Sequence, residues 1–387
     1  MYPNLYYAFK DLFGLEIPFL QVFQTFGFFV AVAFLAGAYV LTAELKRREK
    51  LGWLTGVKEQ IITGKPASTT ELVWNAFLGF LLGFKIIGLA LNWSNASKDL
   101  QSFIFSGAGS WPAGILLGAL LAYLKYREKK KQATPQPQQH TVIILPHQRV
   151  PDIIVMAAVA GLIGAKIFHN LENWSDFVKD PIGSLLSFSG LTFYGGLIVA
   201  AYVIIRYARK KQINTWQLVD SAAPALMLAY GIGRMGCQFS GDGDWGITNT
   251  HPNPYSWLPD WAWAYKYPHN VVNEGIPIPG CEGKYCHALE LPVYPTPLYE
   301  IIACLLLFII LWNLRKKITV PGVIFGIYLI MNGIERFFVE KIRVNTKYDI
   351  LGFHPTQAEI ISTLLVIGGA ALIWYCRKKH ASQTATS

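Results

Sequence analysis

The chain has 387 residues, 52% of them hydrophobic and only 15% charged, with a formal net charge of +10 and a mean hydropathy of +0.32. Soluble domains carry roughly a quarter charged residues, so this composition excludes an ordinary soluble enzyme. Apolar runs of about 20 residues, enough to cross a hydrocarbon core of about 30 Å, indicate an integral membrane protein, and the positive charge sits in short Lys/Arg clusters between the runs, as topology signals do, rather than in a nucleic-acid-binding face.

The N-terminal stretch MYPNLYYAFKDLFGLEIPF has neither the basic start nor the small-residue cleavage site of a signal peptide, so the first span is expected to be retained. Candidate membrane helices follow at 18–43, 70–92, 110–126, 151–170, 190–207, 216–235, 297–314, 319–340 and 355–376. Basic clusters (ELKRREK, KYREKKKQ, RYARKKQ, NLRKKI, CRKKH) follow every second span, which predicts an outside N-terminus and a cytoplasmic C-terminus. The Pro/Gln-rich stretch before residue 151 reads as a cytoplasmic linker. Residues 237–295, rich in Trp, Tyr, Pro and Gly, read as an irregular extracytoplasmic head, with Cys281 and Cys286 spaced for a local disulfide. The expected fold is all-α, a polytopic membrane helix bundle of about nine spans. Residues 1–150 would hold the first span, an extra two-helix unit and the linker, and residues 151–387 the core with its head.

A two-helix unit occurs twice. GFKIIGLALNWSN at Gly83 resembles GAKIFHNLENWSD at Gly164, and FSGAGSWPAGILLG and FSGLTFYGGLIVA follow. Gly88 aligns with His169, so the first copy reads as structural. Lys85 reads as a snorkelling or lipid-contacting residue, while Lys166, with His169 on the same helix face, is expected to join a polar centre.

Charged residues at membrane depth are costly and mark function. GRMGCQFSGDGDWG, Gly233 to Gly246, places Arg234 at the end of a span, and the glycines after it suggest a backbone anion nest. Asp220 starts that span, 14 residues before Arg234 and so about 21 Å away along a helix, too far to pair with it. In MNGIERFFVEKIRVN, Asn332, Arg336, Glu340 and Arg343 form one stripe, and Glu340 is spaced to hold Arg336 rigid. Two arginines on different helices suggest a phosphate clamp, because a guanidinium binds phosphate through two hydrogen bonds and keeps its charge. Tyr194 opens a helix in SGLTFYGGLI, Tyr299 and Glu300 open another in YPTPLYEII, and His354 and Gln357 precede the last in FHPTQAEII. Each has a capping or anchoring explanation and each could line the same cavity.

In this order, these pieces resemble prolipoprotein diacylglyceryl transferases. GRMGCQFSGDGDWG resembles the family's Gly-Arg-x-Gly signature, DSAAP its Asp-x-x-x-Pro, YPTPLYE its His-Pro-x-Gln-Leu-Tyr-Glu, GIERFFVE its Arg-x-x-x-Glu helix, and HPTQ with the last span its Gly-Gln-containing helix. The resemblance covers roughly 18–45 and 151–377. It implies transfer of the diacylglyceryl group of phosphatidylglycerol to the lipobox cysteine of a prolipoprotein signal peptide in the bacterial inner membrane, with release of glycerol phosphate. It further implies Arg234 and Arg336 as phosphate ligands and Glu340 as partner of Arg336, and Tyr194 and His169 are the further catalytic candidates. Gly233, Gly236, Gly241, Asp242, Asp244, Tyr299 and Gln357 are the expected substrate-binding set, with no metal or cofactor and no nucleic acid. The chain departs from the family pattern at Tyr194, where the family has a histidine before Gly-Gly, at Phe26 in place of tyrosine, at Cys237 in place of asparagine, and in a signature one residue longer. The base is therefore open among Tyr194, His169, Asp242 and Asp244. A lipid-binding relative without catalysis and, less well supported, a small-solute transporter are the competing readings.

Overall fold

A computed structural model describes residues 1–93, 103–104, 106–134, 138–187, 192–346, 348–349 and 352–384. In chain order the principal elements are α1 (Leu5–Phe13), α2 (Thr25–Lys50), β1 (Val57–Thr63), α3 (Thr69–Leu82), α4 (Trp111–Gln132), β2 (Gln138–Ile144), α5 (Val150–Glu172), α6 (Phe193–Lys210), α7 (Thr215–Ser240), β3 (Ile276–Pro277), β4 (His287–Ala288), α8 (Thr296–Leu314), α9 (Val323–Glu340) and α10 (Gln357–Thr384). A helix thus lies on every segment read as a span. Among the described residues, five stretches are long and apolar enough to cross a membrane by length and composition: Thr25–Lys50, Thr69–Leu91, Pro146–Glu172, Thr296–Leu314 and Gln357–Ser382. The protein is a mostly helical, multi-pass membrane protein.

The chain forms two compact units. One comprises Met1–Thr55, Pro146–Ile154 and Ile205–Ser387, the other Gly56–Leu145 and Val155–Ile204. In the first, α7 packs on α2, α8 and α9, and α9 packs on α10. Small residues bring these backbones together, as in membrane bundles, where packing rather than water drives helices into contact. A Cβ added to Gly326 or Gly369 would meet the facing helix's carbonyl at 3.0 and 2.6 Å.

The first helix differs from its expected limits. It begins at Thr25, after a short 3-10 turn at Pro18–Val22, and continues to Lys50, so the ELKRREK cluster is helical and partly internal. Glu44 and Arg48 are buried. The Glu44 carboxylate accepts from Arg47 at 2.7 and 2.8 Å, Arg48 at 2.8 Å and Arg315 at 2.6 Å. Arg48 reaches on to Gln217 and lies 3.7 Å from Asp220. Asp220 accepts from the backbone N–H groups of Gly322 and Phe325 at 2.8 and 2.9 Å, capping the start of α9. This gives Asp220 its partners, none of them Arg234.

The second unit contains the duplication. Ser110 N donates to Phe84 O at 2.9 Å, and at the matching place Thr192 N donates to Ala165 O at 3.1 Å. Gly83 faces the carbonyl of Ala113, and Gly164 faces that of Gly195, so closely that neither site admits a side chain. Each lysine closes its own loop. Lys85 Nζ donates to the carbonyls of Phe103, Ser106 and Ala108 at 2.6–2.9 Å, and Lys166 Nζ to Ser187 O and Oγ at 2.8 Å. Loop carbonyls therefore satisfy the Lys85 ammonium, which corrects the snorkelling expectation, and Lys166 donates to a loop rather than only facing a polar centre. Residues 94–102, 105 and 188–191 of the repeat lie outside the described residues.

Part of the expected linker, Gln138–Ile144, is a strand. β2 pairs antiparallel with β1 over Val57–Thr63 and Gln138–Ile144. The β-branched residues in VKEQIIT and HTVII favour that pairing, and the Pro/Gln bias before the second strand concealed it. In the head, Trp245, Tyr267, Leu289 and Val293 form a small core, Cys281 and Cys286 are disulfide-bonded, and β3 pairs with β4.

Glu44→Gln leaves Arg48 and Arg315 buried without their shared counter-charge and should cost about 3–5 kcal/mol. Glu128→Gln, at an exposed Lys125 pair, should cost less than about 1 kcal/mol. Thermal unfolding of the two variants in detergent reads the difference.

Candidate active site

At the other end of α7, α8 and α9 a second charged cluster is built on Glu300. Its residue opens α8 one turn after Pro297, and its side chain is fully buried. Glu300 Oε1 accepts from Arg336 Nη1 at 3.0 Å and from the Tyr230 hydroxyl at 3.1 Å. Glu300 Oε2 contacts Arg234 Nε and lies 3.8 Å from Arg343 Nη1. Arg234 comes from α7, Arg336 from α9, and Arg343 from the turn that ends α9. One carboxylate thus gathers guanidiniums from three places in the chain.

Two more acids complete the cluster. Arg336 Nη2 pairs with Glu340 Oε2 at 3.0 Å, one helical turn away, and Asn345 Nδ2 donates to Glu340 Oε1 at 2.6 Å. Asp244 bridges the other two arginines. One oxygen contacts Arg234 Nη1, and the other accepts from Arg343 Nη2 at 2.7 Å. Backbone pairing holds these pieces in place. Gly246 N donates to Tyr294 O and Ile247 N to Ile342 O, both at 2.8 Å, and Thr296 Oγ1 donates to Asp244 O at 2.8 Å. A Cβ on Gly246 would stand 2.5 Å from Ile342 O, so the close approach of signature loop and α9 turn requires glycine there.

The structure therefore brings together Arg234, Arg336, Glu340 and Asp244 of the expected set. Other expected residues take different places. Gly233 and Gly236 lie inside α7, which runs on to Ser240. Their N–H groups belong to the helix ladder, so they do not form the expected anion nest. Gly236 instead packs on Phe26, while Gly233 borders open space. Gly241 ends the helix in the left-handed conformation, φ +65°. Asp242 accepts from Asp244 N at 3.3 Å. The Tyr299 hydroxyl donates to Ala262 O at 2.9 Å, toward the head. Gln357 opens α10 and is exposed, with no hydrogen bond to the cluster among the described residues. Tyr194, half-buried at the start of α6 with its ring edge-on to Phe193, and His169, whose Nδ1 faces Asn173 Nδ2 at 3.2 Å, belong to the second compact unit, whereas the arginines belong to the first.

Sequence reasoning underweighted Glu300, treating it as a helix-start residue. The signal was present as an acid in the first turns of an otherwise strongly apolar span. It left Arg343 as a member of a stripe rather than a third cation, and it passed over Glu335. Glu335 is buried, and neither of its oxygens has a hydrogen-bond partner among the described residues.

The thiol of Cys237 and the carboxylates of Asp242 and Asp244 offer ligand atoms within 4.8 Å of one another. Arg234 Nη1 already contacts Cys237 Sγ at 3.3 Å and the Asp244 carboxylate, and its fixed positive charge opposes a metal cation in that space. The arrangement favours an anion.

Asp244 lies beyond the end of α7. Burial opposes its ionisation, but Arg234 and then Arg343 outweigh burial and hold its carboxyl at about 2. Asp242 is pushed up, by burial first and then by the charge of Asp244.

Glu300→Gln keeps the side-chain shape and removes the counter-charge shared by the arginines, so it should lower the melting temperature and abolish high-affinity binding of a phosphate ligand. Asp244 stabilises the fold fully above the ordinary carboxylate pKa of about 3.9, and this contribution fades as pH falls through about 2. The melting-temperature difference between wild type and Asp244→Asn should be flat from about pH 8 to 5 and shrink at lower pH.

The family model for prolipoprotein diacylglyceryl transferase matches residues 110–375, from the cap of α4 to the last turns of α10. Among relatives named phosphatidylglycerol--prolipoprotein diacylglyceryl transferase, that of Staphylococcus haemolyticus is 30% identical over 273 residues, covering 69% of this chain and 83% of the relative. The Clostridium novyi protein is 29% identical over 273 residues, covering 69% and 91%. That of Staphylococcus aureus MSSA476 is 31% identical over 230 residues, covering 59% and 74%. With the family match spanning the charged cluster and all the helices that build it, the chain belongs to the prolipoprotein diacylglyceryl transferase family.

Proposed function

We propose that this protein transfers the diacylglyceryl group of phosphatidylglycerol to the cysteine thiol of a prolipoprotein lipobox. The observation that carries the reading is the set of arginines 234, 336 and 343 gathered on the buried carboxylate of Glu300, within a chain of this family. In the reaction the thiolate sulfur attacks the glyceryl carbon next to the phosphate ester. A C–S bond forms, the C–O bond breaks, and its electron pair passes to the phosphate oxygen, which leaves as glycerol phosphate.

Negative charge therefore grows on the phosphate as the bond breaks. Guanidiniums already held in position stabilise that charge without having to reorganise, the condition under which such groups lower a barrier most. Arg234 and Arg336 serve as phosphate ligands in this reading, and Glu300 and Glu340 fix their orientation. A nearby cationic cluster also favours the thiolate over the thiol, whose ordinary pKa is about 8.5. The displaced proton goes to a base drawn from Tyr194, His169, Asp242 and Asp244. Tyr194 takes the place of the family's histidine. The N-terminus outside, the C-terminus in the cytoplasm and residence in the bacterial inner membrane complete the proposal. Alternate-loop basic clusters support the orientation, and the head's disulfide suits an oxidising compartment.

The test uses the detergent-solubilised chain with phosphatidylglycerol and a lipobox peptide, following glycerol phosphate release and the mass of the modified cysteine. Wild type should give both products, and Arg234→Ala should reduce turnover about 10²–10³-fold, the scale expected for loss of a preorganised charge-stabilising donor. Tyr194→Phe should lower turnover and change its pH profile if Tyr194 takes the proton. No product from wild type, with phosphatidylglycerol still bound, would mean a lipid-binding relative.

A further inference from the structure

The residue at the mouth of the cluster is itself an anion. Asp244 places one carboxylate oxygen on Arg234 and the other on Arg343, the two-oxygen, two-guanidinium arrangement that the non-bridging oxygens of a phosphodiester would adopt. From this juxtaposition we infer that Asp244 is a resident stand-in for the substrate phosphate, and that Arg343 is a phosphate ligand which Asp244 releases when the lipid headgroup takes its place. The inference rests on the phosphate-clamp reading above.

Three observations separate Asp244 from the other acids. First, its side chain is 38% exposed, whereas those of Glu300 and Glu340 are fully buried. An incoming headgroup meets Asp244 first. Second, the charges require an exchange. Arg234, Arg336 and Arg343 pair with Glu300, Glu340 and Asp244, and the neighbouring acids Glu335 and Asp242 bring no further cation among the described residues, so the arginines have no positive charge to spare. Adding a phosphodiester monoanion to that set would bury an extra negative charge, while replacing Asp244 with it keeps the balance. Third, the local chain suits a side chain that swings while its backbone stays. Gly243, at φ +97°, has only Val272 Cγ1 near its Cβ position, at 3.9 Å. The carbonyl of Asp244 is held by Thr296, and the next residue, Trp245, is buried.

Arg343 is equipped to receive the ligand. Its side chain is only 9% exposed, and its Nε and Nη1 make no hydrogen bond among the described residues. Buried guanidinium donors without acceptors are costly, and a phosphate with more acceptor oxygens than a carboxylate can satisfy them. Asp244 thus keeps the arginines assembled and screened from one another between turnovers, and weakens the binding of headgroups that cannot displace it.

The experiment measures KM for phosphatidylglycerol in mixed micelles and inhibition by glycerol phosphate, with the full chain and lipobox peptide. Asp244→Asn, which keeps the shape and removes the charge, should lower KM and the glycerol phosphate inhibition constant about threefold or more, and Asp244→Glu should restore the wild-type values. Arg343→Gln should raise KM about tenfold. A higher KM in Asp244→Asn would mean that Asp244 only orients the arginines, and would overturn the inference. An unchanged KM in Arg343→Gln would overturn it independently, and that variant decides the matter if Asp244→Asn does not fold. Absence of product from wild type would instead remove the transferase reading beneath it.

Discussion

A buried carboxylate that keeps its charge needs cations beside it, and Glu300 meets that constraint by gathering arginines from three places in the chain. Leaving its charge uncompensated at this depth would cost several kcal/mol. Its contacts with Arg234 and Arg336, and the nearby Arg343, supply the compensation and in doing so fix the positions of the guanidiniums. The same pairings make the arginines tolerable where a lone arginine would be expelled. Stability and function are therefore one arrangement here. The cluster that keeps α7, α8 and the end of α9 together is the cluster proposed above to receive the phosphate.

The other end of the bundle uses the same device for a different purpose. Glu44 gathers Arg47, Arg48 and Arg315, while Asp220 caps α9. These side chains are more deeply buried than Asp244, so this cluster is a fastening and not a mouth. The contrast lies in exposure. Glu44 and Asp220 have nowhere to go, whereas Asp244 is held by two charges, open to one side, and followed by a backbone anchored through Trp245 and Gly246.

The duplicated helix pair shows how one local solution can be kept while its chemistry changes. Both copies retain the glycine contact, the backbone hydrogen bond across the helix start and the lysine that closes the loop. These satisfy packing and buried polar groups, which any such hairpin must do. The positions that differ, Gly88 against His169 and Pro112 against Tyr194, leave ring-bearing polar side chains in the second copy only.

Hydropathy and alternating charge determined the helical, membrane-spanning character of the chain, because a span needs a long apolar run and nothing tertiary can substitute for one. Helix spacing determined the Arg336–Glu340 pair, since residues four apart share a face, and the short Cys281–Cys286 interval made their disulfide readable. The tertiary structure decided what spacing along the chain cannot express. Glu300, 66 residues after Arg234, became the centre of the site only when α8 packed on α7. Arg343 joined it through the backbone pairing of Gly246 with the turn after α9. The continuation of α7 to Ser240 closed off the nest that the glycines suggested, because helical N–H groups already have acceptors. The pairing of β1 with β2 spans the whole extra helix pair, and a strand partner that distant leaves no mark in local composition.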